Sequence, residues 1–72
     1  MELFKVNIIL FEGFGKNTDS EFITYLPCKP QVGEEIYITY KGYESCSTII
    51  RVMYIINDKH KLEHIEIEIK EN

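Results

Sequence analysis

Residues 64–70 read His-Ile-Glu-Ile-Glu-Ile-Lys, and this run constrains the fold more than any other stretch of the chain. Successive side chains of a β-strand point to opposite faces, so Ile65, Ile67 and Ile69 fall on one side and Glu66 and Glu68 on the other. A one-residue slip of the strand would bury both glutamates, so its register is set. The rest of the chain agrees with extended structure. It carries twelve Ile, three Val and four Thr but no Ala, the best helix former. A helical bundle and a coiled coil are excluded.

Five extended segments follow. The first spans about Glu2 to Glu12, with Phe4, Val6, Ile8 and Leu10 on one face and Leu3, Lys5, Asn7, Ile9 and Phe11 on the other. Residues 13–20 form a polar loop with two glycines. The second spans Glu21 to Leu26 and stops at Pro27, because proline cannot donate to a sheet ladder. The third spans Glu34 to Lys41, before a turn around Gly42. The fourth, about Cys46 to Ile56, is apolar on both sides: Thr48, Ile50, Val52, Tyr54 and Ile56 against Ile49, Arg51, Met53 and Ile55. That pattern predicts a central strand or one covered on both faces. Asn57–His60 is a hairpin turn by composition, and Lys61–Lys70 is the last strand.

The expectation is a single all-β domain over residues 1–72. Its five strands would form an antiparallel meander, closed or partly closed into a small barrel, since closure removes exposed edges. An OB-like barrel ranks second, because the short turn near Gly42 leaves no room for the helix such a barrel needs. The run Pro30-Gln31-Val32-Gly33-Glu34-Glu35-Ile36 resembles the segment that leads into a strand in many small SH3-like barrels of bacteria and phages. The resemblance implies architecture and carries no functional residue. Heavy use of Ile, Lys, Asn, Tyr and Glu also fits an AT-rich bacterial, phage or mobile-element genome.

The candidates for chemistry are weak. Cys28, Cys46, His60 and His64 have the ligand count of a zinc site without its spacing. The two histidines would lie about 13 Å apart along an extended strand. A catalytic Cys–His pair would need a pocket, and a small barrel has a filled interior. Gly13-Phe14-Gly15-Lys16 lacks the spacing of a phosphate-binding loop. No catalytic residue, cofactor or metal is expected. No secretory leader and no apolar run long enough to span a membrane is read, so the expectation is a cytoplasmic protein with free thiols. Eight basic against twelve acidic side chains give a net charge of −4, which disfavours nucleic-acid binding.

The apolar surplus is more informative. With the inward faces filled, Leu3, Ile9, Phe11, Ile23, Ile49, Met53 and Ile55 are left over. The sequence therefore predicts a non-catalytic module for protein–protein contact, as a homo-oligomer or an accessory subunit. Its surface would be Ile9, Phe11, Ile49, Met53 and Ile55, with Tyr25, Tyr37 and Tyr43 at the rim. The alternative is a role linked to nucleic acid. It would be direct single-strand binding through aromatic stacking, or inhibition of a nucleic-acid-binding protein by the acidic face of Glu66 and Glu68, which would mimic phosphates.

Overall fold

The computed structural model describes residues 2–10, 21–40 and 42–72, with Tyr40 and Tyr43 as backbone alone. Its strands are β1 (Phe4–Leu10), β2 (Glu21–Leu26), β3 (Glu35–Tyr40), β4 (Tyr43–Ile56) and β5 (Leu62–Glu71). They form one mixed sheet in the order β2-β1-β5-β4-β3, curled into a half-barrel. The described residues contain no helix.

The strands fall close to where alternation and turn chemistry place them. Asn57 closes the β4–β5 hairpin: its Oδ1 accepts from the backbone N–H groups of Lys59 at 2.9 Å and Lys61 at 3.1 Å. His60 sits there at φ 61°, the left-handed region that costs a side-chain-bearing residue energy. The Pro30–Ile36 run is a turn leading into β3. Pro30 is buried, Gln31 donates its N–H to Glu34 Oε1 at 2.7 Å, and Gly33 adopts φ +94°.

Two expectations are corrected. The sheet is not an antiparallel meander, because β1 and β5 pair in parallel, with Val6 beside Ile65 and Ile8 beside Ile67. The reason lies in residues 27–34. Pro27 stops β2, and instead of turning back the chain crosses from the β2 edge to the β3 edge. Five strands at ~4.8 Å spacing span about 19 Å, within reach of eight residues. The segment passes over the concave side: Lys29 Nζ lies 5.7 Å from the Phe4 ring centroid on β1 and 5.8 Å from that of Tyr54 on β4. Ile49 N–H then bonds the Glu34 carbonyl at 2.9 Å. With β2 and β3 sent to opposite edges, β5 takes the place beside β1. The edges do not meet, so the barrel stays open.

The second correction concerns β4. β4 is an interior strand, paired with β5 on one side and β3 on the other, but its two apolar sides come from a bulge. The β4–β5 register shifts between Ile49 and Arg51. Before the bulge Ser45, Ser47 and Ile49 face the core; after it Val52 does. The extra residue reverses which parity points inward. Ile49, placed by alternation on the interaction surface, is therefore a core residue at 3% exposure.

The core lines the concave face: Val6, Ile8 and Leu10 of β1, Ile65, Ile67 and Ile69 of β5, Ile49 of β4 and Ile38 of β3. Phe4, Phe22, Leu26, Ile36 and Val52 pack around it. The buried hydroxyls of Ser45 and Ser47 share a hydrogen bond of 3.3 Å, and Ser45 Oγ also lies 3.4 Å from the Cys46 carbonyl, which it can donate to.

Candidate functional site

The register places the remaining surplus on the convex face. Reading across β2, β1, β5 and β4, one row is Glu21, Ile9, Glu68 and Arg51. The next is Ile23, Asn7, Glu66 and Met53. Tyr25 faces Lys5 and Ile55 faces His64 one step further along. The acidic residues and the apolar surplus, two separate candidates in the sequence, therefore occupy one face. Glu66 and Glu68 form its spine, with Ile9 on one flank and Met53 and Ile55 on the other.

These side chains hold one another in place. Ile9, Met53, Ile55, Glu66 and Glu68 are half-buried by their neighbours, whereas Ile23 and Tyr25 each expose 56% of their surface. His64 Nε2 lies 3.4 Å from Glu66 Oε2, a contact that is ionic when the imidazole is protonated. Arg51 lies opposite Glu68 in register, yet it sends Nη2 to within 3.5 Å of the Met53 sulfur. Ile9, Met53, Arg51, Glu66 and Glu68 rim a dimple of about 10 Å³ above Ile67, room for no more than one water-sized group. A wider groove of about 390 Å³ runs beside it along Lys5, Asn7, Ile23, Glu63 and His64.

The other sequence candidates do not join this face as one site. Tyr37 is 66% exposed on β3, beyond β4 and opposite Cys46. Phe11 and the Tyr43 side chain lie outside the described residues, as does the Gly13–Lys16 loop. Leu3 is exposed ahead of β1. Asn7, Arg51 and His64 belong to the face, although an apolar count overlooks them. Their signal was strand parity, readable on β1 and β5 but scrambled on β4 by the bulge.

Both cysteines are free and exposed. The Cys46 thiol donates to Glu35 Oε2 at 3.5 Å, and Asn72 donates its backbone N–H to the Cys46 carbonyl at 3.0 Å. Asn72 Oδ1 accepts from Thr48 Oγ1 at 2.6 Å. The cluster ties the last residue to β4. His60 sits in the far hairpin and His64 lies opposite Ile55, most of the length of β4 from Cys46. No Cys–His pair forms among them, and the described residues bring no three metal-binding side chains together. No described helix is long and apolar enough to cross a membrane.

No family model, curated protein or solved structure matches this chain.

Proposed function

We propose that the protein is a non-catalytic assembly module that docks a protein partner on the convex face of its sheet. One observation carries the reading: a carboxylate spine, Glu66 and Glu68, runs between half-buried Ile9 on one flank and Met53 and Ile55 on the other. Apolar groups beside fixed charges provide both affinity and orientation. Tyr25 and Ile23 extend the surface to the β2 edge. The acidity of the face selects a partner with basic side chains on an apolar surface. The open barrel is read as SH3-like in architecture, a likeness that carries no activity.

Affinity capture with matched baits tests it. Met53→Asp and Glu66→Lys leave the core untouched and should stay folded. A protein held by the wild type and released by both variants supports the reading. A protein held equally by all three, or none held by the wild type, overturns it.

The nucleic-acid alternative has narrower support. Lys5, Arg51 and His64 share the face with Glu21, Glu63, Glu66 and Glu68, so no basic groove forms along it. The two carboxylates also stand among apolar neighbours, unlike an open phosphate row.

A further inference from the structure

Among the described residues the half-barrel leaves β3 as an edge strand, and the hydrogen-bond pattern identifies which of its main-chain groups have no partner there. Ile49 exchanges hydrogen bonds with the 33–34 turn: its N–H goes to the Glu34 carbonyl and its carbonyl accepts from Gly33 N–H, both at 2.9 Å. In an antiparallel ladder such residues alternate. Ser47 and Ser45, in step with Ile49 on β4, therefore bond to Ile36 and Ile38, their register partners. The N–H and C=O groups of Glu35, Tyr37 and Thr39 point away from the sheet.

We propose that the β3 edge pairs antiparallel with the β3 edge of a second copy of this chain, about a two-fold axis at Tyr37. The strand is self-complementary in that register. Tyr37 faces Tyr37 of the second copy, and Glu35 faces Thr39. Ile36 faces Ile38, which continues the apolar concave stripe across the junction. All three outward-facing residues gain ladder hydrogen bonds. Charge permits this arrangement on an acidic chain. Glu35 is the one charged residue of β3, and the axis holds the two copies of it about 14 Å apart, beyond the screening length in physiological salt.

Of the usual guards against edge pairing β3 carries only the charge of Glu35: it reads Glu-Ile-Tyr-Ile-Thr-Tyr, without Lys, Pro or a bulge. An isologous contact closes at two copies and does not propagate. The edge is about 20 Å long, which gives less area than the roughly 800 Å² per partner of a standard interface, so the dimer is a weak one. It uses a different surface from the convex face and does not depend on that docking reading.

Sedimentation of the full chain from about 10 μM to about 1 mM, the regime of small interfaces, tests the dimer. The Tyr37 N–H points outward, so Tyr37→Pro removes it without breaking a bond to β4. Tyr37→Lys sets two like charges across the axis. The wild type should shift from monomer to dimer with concentration, and both variants should stay monomeric while melting as cooperatively as the wild type. Tyr37→Cys with Cys28→Ser and Cys46→Ser should form a disulfide-linked dimer in air, since facing Cα atoms in such a pair lie about 5.5 Å apart. Met53→Asp should leave the dimer intact, which separates this result from failure of the convex-face reading. A wild type that is monomeric throughout overturns the proposal. So does a dimer that survives Tyr37→Pro and Tyr37→Lys but is lost with Ile23→Lys on the β2 edge. Growth beyond two copies overturns it as well.

Discussion

Val6 of the first strand lies directly beside Ile65 of the last, in parallel register, and both are at 0% exposure. The pair joins the β1–β2 hairpin to the β3–β4–β5 unit, so the two halves of the chain meet along this line. Truncating either side chain leaves a cavity that its neighbours cannot fill. Ile65→Ala should cost about 2–5 kcal/mol. One small core supplies only about 3–5 kcal/mol in total, so the variant should be largely unfolded at room temperature. Loss of the cooperative urea transition, followed by circular dichroism, checks this. An intact transition would mean that the β1–β5 seam is not where the stability resides.

Ile49 and Met53 have the same parity along β4 and opposite environments, because the bulge lies between them. Ile49→Asp buries an unpaired carboxylate and should abolish folding. Met53→Asp puts the same group on the convex face and should move the urea midpoint little, with part of any loss coming from the added charge near Glu66. Equal destabilisation by the two changes would place the bulge wrongly.

Backbone conformation makes a paired prediction of opposite sign. His60 holds φ 61°, so His60→Gly should stabilise the protein by about 1 kcal/mol. Gly33 holds φ +94° with nothing within 4 Å of an added Cβ, so Gly33→Ala meets no clash. It should still destabilise by about 1 kcal/mol through strain alone. Thermal melts of both variants read the signs directly.

The Ser45–Ser47 hydroxyl pair of β4 is buried on the core side of the sheet. Removing one hydroxyl, as in Ser47→Ala, leaves the other with a lost partner and should cost about 1–2 kcal/mol. Removing both should cost less than the sum of the two single changes. A double-mutant cycle on the melting free energies measures the difference. Strict additivity would show that the two hydroxyls do not act together.

The sequence by itself determined the strands, because alternation and turn chemistry are local properties. His64–Lys70 sets its own faces, Pro27 stops β2, and Asn57–His60 turns the last hairpin. It also determined the concave core on β1 and β5, where parity runs unbroken through Val6, Ile8, Ile65, Ile67 and Ile69. Only the tertiary structure decided the strand order, since a crossing of eight residues and a hairpin are equally compatible with a segment holding two prolines. Only the tertiary structure revealed the bulge as well, because one inserted residue leaves no mark in a run that is apolar on both sides. Together these two decisions send Ile49 to the core and bring Ile9, Met53, Glu66 and Glu68 onto one face. They also leave β3 at an open edge.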